Sequence, residues 1–199
     1  MKNLLPALCF VLVAMASCRK DQSVPPPDTK VDSTACYSFY YNHFQPGLLI
    51  KTTLNHDVTR EVDINNDSIA DIRFYVWHHF EDSIHSAYGV TAVAMDSIRF
   101  IIKSAACGAP CQAPLNAGNI IYVNNATTRE LVLKAVSPSS LTDCGCFNTE
   151  KYIGFIIKKA EQEYLGWISI VTIDSLSVEL QDVAITKCPK QFSIEIGKH

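Results

Sequence analysis

The chain has 199 residues, 48% hydrophobic and 19% charged, with a formal net charge of -3. That balance is too acidic for a nucleic-acid binder, which needs a basic stripe to displace counterions from phosphates. The length suits one domain of roughly 150–165 residues with a real core, and eight cysteines are many for a reducing compartment.

Residues 1–17 read as an export signal. Lys2 supplies the positive start, and Leu4 to Ala16 is an apolar run broken only by Pro6. The run is short for a bilayer span and right for a signal core. It ends in Met15-Ala16-Ser17-Cys18, which resembles a bacterial lipobox, although Met15 stands where leucine is usual. The resemblance implies lipidation at Cys18; an ordinary secretory signal cleaved near Ala16 or Ser17 is the competing reading.

Residues 18–35 read as a tether, polar apart from Pro25-Pro26-Pro27, extended and partly stiff. Its start, Cys18-Arg19-Lys20-Asp21, resembles that of many Bacteroidota lipoproteins, in which acidic tracts after the cysteine direct surface display. Here Asp21 is the only acid in the tract. The implied location is the cell envelope, lipid-anchored, at the outer membrane (periplasmic or surface face) rather than the inner one.

Residues 36–199 read as one β-domain. Leu48–Leu54 and Thr59–Ile64 are short runs rich in β-branched residues. Ile69–Trp77 alternates, with Ile72, Phe74 and Val76 on one face and Arg73, Tyr75 and Trp77 on the other. Val90–Met95, Ser97–Lys103, Asn119–Val123 and Leu131–Val136 follow at intervals marked by Gly, Pro and Asn. Tyr152–Lys158, Tyr164–Ile173, Ser175–Ile185 and Phe192–Ile196 complete the series. With no capped helical window and no fixed repeat, the expected fold is all-β, an antiparallel sandwich of jelly-roll or immunoglobulin-like type. A partly open barrel is the alternative.

Tyr152-Ile153-Gly154-Phe155, Tyr164-Leu165-Gly166-Trp167-Ile168 and Asp182-Val183-Ala184 resemble small exported β-rich proteins of Bacteroidota. In those, an aspartate-rich turn comes first, and a Tyr-Gly-Trp strand precedes a final hairpin ending near Asp-x-Ala. The resemblance spans roughly residues 58–186 and implies fold and compartment, not an activity.

The aspartate-rich stretch runs from Asp63 to Asp71. Asp63, Asn65 and Asp67 stand at every second residue, Ile69 would offer its carbonyl, and Asp71 follows. That spacing lets one loop aim oxygens at a common point, as calcium requires. Against an EF-hand loop, Ser68 replaces the turn-forming glycine and Phe74 the bidentate glutamate, and the flanks are strands. The expectation is a structural Ca2+ site of the shorter Asp-x-Asn-x-Asp kind. A plain polar turn is the competing reading, because Asp and Asn bond to nearby backbone N–H groups; magnesium, which demands a rigid octahedron, fits less well.

Cys36, Cys107, Cys111, Cys144, Cys146 and Cys188 form an even set in an exported chain, and read as disulfides with fifteen possible pairings. Cys36 and Cys188 lie near the domain's two ends and could close it. Cys107-x-x-x-Cys111 and Cys144-Gly-Cys146 read as loop pairs; zinc ligation or redox activity are the lesser readings. His78 and His79 point to opposite strand faces and cannot share a metal, and the other histidines are scattered in turn-like context, so surface or half-buried positions are expected.

No nucleophile elbow, phosphate loop or His-Glu-x-x-His is present, and Glu61, Glu81 and Asp82 are too ordinary to signal a glycosidase pair. Tyr75 and Trp77 share one strand face, which is either core or a platform for sugar rings or partner proteins. The expected function is therefore non-enzymatic: a lipid-anchored envelope protein for binding, adhesion or envelope assembly. A glycan-binding or carbohydrate-handling protein using that aromatic face is the alternative, and an exported enzyme with an unrecognised site the third.

Overall fold

The computed structural model describes residues 38–82, 85–102, 114–138, 142–144, 150–189 and 191–197. Cys18, the tether, Cys36, Cys107, Cys111 and Cys146 lie outside them. The described strands are β1 (Phe39–Lys51), β2 (His56–Val62), β3 (Ile72–Phe80), β4 (Ser86–Ala94), β5 (Ile98–Ile101), β6 (Ile120–Tyr122) and β7 (Thr127–Thr128). They continue with β8 (Glu130–Ser137), β9 (Thr142–Cys144), β10 (Lys151–Lys159), β11 (Gln162–Asp174), β12 (Ser177–Thr186) and β13 (Ser193–Glu195).

Two antiparallel sheets dominate. Sheet A has the order β1-β12-β11-β10-β5-β7 and sheet B the order β2-β3-β4-β8-β9. Each is built around a meander of consecutive hairpins, β10-β11-β12 in one and β2-β3-β4 in the other. Neither closes on itself, so the fold is an all-β sandwich and the barrel alternative falls. A small two-stranded sheet, β13-β6, forms a third element.

The alternation within β3 and β4 places Ile72, Phe74, Val76, Val90, Ala92 and Ala94 on the inner face of sheet B. They pack against Phe100, Ile153, Phe155, Ile157, Ile168 and Leu180 of sheet A. A second apolar cluster covers the other face of sheet A, where Ile156, Leu165, Trp167 and Ala184 meet Leu115, Ile121, Ile194 and Ile196. Sheet A is thus the middle layer. This double burial explains why Ile153–Ile157 and Leu165–Ile170 read as near-continuous apolar runs, interrupted by the buried Ser169, rather than alternating ones.

Several boundaries differ from the sequence reading. The first strand begins at Phe39, not Leu48, because Phe39–His43 pairs with β12 before the chain bulges around a cis Gln45–Pro46 bond. The strand expected from Ile69 begins at Ile72, since Asp71 closes the preceding loop by bonding its N–H to the Val62 carbonyl at 3.0 Å. His43, expected in a turn, pairs across to Asp182, and Cys144, expected in a loop, ends β9 opposite Ala135. The two-residue β7 carries no periodicity and is legible only through its pairing with β5.

Candidate functional site

The aspartate loop joins β2 to β3 at one end of sheet B. Asp63 organises its first half: Oδ1 accepts the N–H groups of Asn65 (3.1 Å) and Asp67 (3.3 Å), and Oδ2 accepts that of Ser68 (2.7 Å). Asp67 Oδ1 accepts the Ile69 N–H at 3.0 Å. Asp71 closes the loop, its Oδ2 accepting the Ile64 N–H at 3.0 Å and the Asn65 side-chain amide at 2.9 Å. Ile64 anchors the loop in the core, while the Ile69 side chain faces solvent.

The turn needs two residues at positive φ, Asn66 at 58° and Ser68 at 69°. Ser68 therefore adopts the left-handed conformation that glycine supplies at the sixth position of an EF-hand loop. The loop also bridges the sheets. Asn66 Nδ2 donates to the Tyr40 hydroxyl of β1 at 2.6 Å, and Lys159 at the end of β10 stands 3.6 Å from Asp67 Oδ2.

Asp71 is only 5% exposed. Burial lifts its pKa from 3.8 to about 6; Asp67 and Asp63 add to the rise, whereas the Ile64 N–H and Lys159 oppose it. Asn65 Oδ1 is buried and accepts no hydrogen bond. Among the described residues no three His, Cys, Asp or Glu side chains converge as a metal cluster. Asp63 is engaged in bonds to the backbone, and Lys159 supplies the nearest positive charge to Asp67.

The second candidate is the outer face of sheet B. Tyr75 and Trp77 belong to neither apolar cluster; both are half-buried and point away from the core, beside the exposed His79. The reading of this face as core is therefore set aside. Asp57 of β2 lies directly across from Trp77 and reaches diagonally to both flanking residues. Its Oδ2 accepts the Tyr75 hydroxyl at 2.5 Å; its Oδ1 lies 3.0 Å from His79 Nε2, close enough for charge pairing but not aligned as a hydrogen bond. The bond to Asp57 is the main reason the Tyr75 pKa is raised, with burial second. On the other side Trp77 faces Gly89 of β4, where an added Cβ would meet indole atoms at 2.7 and 2.8 Å.

His78, on the opposite face of the same strand, is buried rather than surface or half-buried as expected. Its Nδ1 accepts the Asn55 N–H at 3.2 Å, and its ring lies parallel to that of Tyr88. Glu61 pairs with Arg73 at 2.7 Å, Asp82 with His85 at 2.8 Å, and Glu81 with Ser137, so these acids are tied to structural partners. Two open grooves, of about 450 and 270 Å³, run along sheet A; the smaller is lined by Tyr40, Asn65, Lys159 and Lys187 beside the aspartate loop.

The sequence reading missed Asp57, Gly89 and His79 as companions of Trp77. Only the strand register joins them, and a single period-two pattern does not reveal a register. Fold and sites together define an antiparallel β-sandwich with an acidic inter-strand loop and an aromatic outer face. Comparison with protein-family models, curated proteins and solved structures gives no match.

Proposed function

We propose that the protein is a non-enzymatic, lipid-anchored module of the cell envelope, held at the outer membrane through Cys18, whose sandwich is reinforced by calcium at the aspartate loop. The observation that carries the calcium reading is a charge imbalance. Asp63, Asp67 and a buried Asp71 lie in one short loop, beside a buried amide oxygen of Asn65 that accepts nothing. A divalent cation offsets the repulsion and supplies the missing partner. Asp63, Asn65, Asp67, Asp71 and the Ile69 carbonyl are the groups that would hold it. A loop tied to Tyr40 and Lys159 in sheet A makes such an ion a clamp between the sheets rather than a trigger.

Support for a non-enzymatic role comes from Glu61, Asp82 and Asp63, which are engaged with structural partners or the loop backbone. Support for anchorage comes from the lipobox-like Met15-Ala16-Ser17-Cys18 alone. Radiolabelled palmitate should enter the protein expressed in a bacterium and should not enter Cys18→Ser.

Calcium is tested by thermal unfolding in millimolar calcium against chelator. Sites of extracellular grade have Kd near 10⁻⁴–10⁻³ M, so about 0.4–1.4 kcal/mol of stabilisation is expected. That is a rise in the midpoint of about 1–5 °C, absent from Asp67→Ala. An unresponsive parent would leave the loop a polar turn.

A further inference from the structure

We propose that the outer face of sheet B around Tyr75, Trp77 and His79 binds uncharged carbohydrate chains laid along β3. This rests on the reading of the protein as an exported binding module and gives that module its ligand class.

Three observations carry it. First, three rings stand at alternate positions of one strand, so they form a track roughly 13–14 Å long on one face. The Trp77 and His79 rings lie within 23° of parallel, with centroids 5.9 Å apart. Second, the indole occupies the space that a side chain at position 89 would fill, since Gly89 stands directly across from it. The same device occurs in the core, where the Phe155 ring fills the space above its partner Gly166. There it serves packing; at Trp77 no second layer covers the ring among the described residues. Third, the Asp57 carboxylate accepts the Tyr75 hydroxyl and the His79 ring stacks beside Trp77, so the track is largely ordered before any ligand arrives.

The surroundings select the ligand. A sugar ring offers an apolar C–H face to an aromatic ring and hydroxyls to polar groups at its rim. Here the rim consists of Asp57, Thr59 and the Tyr75 hydroxyl toward β2, and Thr91 toward β4, across from Tyr75. Among the described lysines and arginines, Arg73 is the cation on this strand face, and it is paired with Glu61 rather than left for an anionic ligand. The aromatic strip is also one side chain wide and bounded by charged and hydroxyl groups, which suits a chain-like ligand better than a broad apolar protein surface.

The test is affinity electrophoresis of the full-length protein through gels containing glucomannan, xylan, hydroxyethylcellulose or laminarin, with polygalacturonate as the charged comparison. At least one neutral polymer should retard the protein, and polygalacturonate should not. Trp77→Ala and Tyr75→Ala should each weaken retardation about tenfold, the scale of one aromatic contact. Phe192→Ala, an exposed aromatic elsewhere, should leave it unchanged. If Trp77→Ala fails to fold, Trp77→Phe and Tyr75→Phe decide: weaker retardation with a parental melting curve supports the site, and unchanged retardation overturns it. Absence of retardation in every neutral gel overturns it as well, as does stronger retardation by polygalacturonate. Asp67→Ala should bind the polymer like the parent, so loss of the calcium response and loss of glycan binding are read separately.

Discussion

Asp71 is a carboxyl group that the fold holds in the wrong solvent. Its pKa rises to about 6, chiefly through burial. The folded state therefore favours the protonated form, and the stabilisation this brings is fully present below the unfolded value near 4 and lost as pH rises through about 6. In chelator, stability should fall by about 2–3 kcal/mol between pH 4 and pH 7. Thermal unfolding across that range checks this, and Asp71→Asn should flatten the curve. Ser68 gives a second residue-scale prediction. Its φ of 69° is strained for a side-chain-bearing residue, so Ser68→Gly should raise stability by about 1 kcal/mol in urea unfolding. The positions of Asp63, Asn65 and Asp67 were legible from spacing. What spacing did not show is that Asp63 is occupied by three backbone N–H groups, because turn bonding and metal ligation draw on the same oxygens.

At the scale of elements, strands buried on both faces were the easiest to read and half-exposed ones the hardest. β10 and β11 stand out in the sequence because two clusters bury both their faces. The start of β1 was hidden: its residues are aromatic and polar, half-exposed, and fixed by long-range contacts, pairing with β12 and bonds to the aspartate loop. Two glycines separate packing from conformation. Gly166 has a full complement of neighbours; an added Cβ would lie 2.3 Å from the Phe155 ring and 2.7 Å from the Ala184 carbonyl oxygen. The ring can turn but the backbone oxygen cannot, so Gly166→Ala should cost about 3 kcal/mol. Gly118 has open space around it and a φ of 82°, so Gly118→Ala should cost only about 1 kcal/mol, from backbone strain. Urea midpoints of the two variants, measured together, test that ordering.

The whole molecule is drawn together where its first and last long strands meet. β1 lies on β12 from Phe39↔Thr186 onward, and beyond that pair the Lys187 N–H donates to the Ser38 carbonyl at 2.9 Å. Cys188 follows at once, and Cys36 stands two residues before Ser38 in the sequence. A Cys36–Cys188 bond is thus the pairing to expect, and peptide mapping under non-reducing conditions should recover it. Such a bridge spans nearly the whole domain, and in the chain-entropy account long loops give the larger effects, up to about 5 kcal/mol. Cys188→Ser should accordingly lose about 2–5 kcal/mol, with the reduced parent moving the same way. The consequence reaches beyond stability. With residues 1–17 read as an export signal and 18–35 as a tether, pull on the anchor would enter the sandwich at β1, an edge strand that among the described residues pairs in sheet A with β12. A Cys36–Cys188 bond would transfer the load to β12, in the middle of the apolar layers, instead of peeling β1 away one hydrogen bond at a time. Partial unfolding of Cys188→Ser, followed by hydrogen exchange, should therefore begin at β1, while β10 and β11 stay protected.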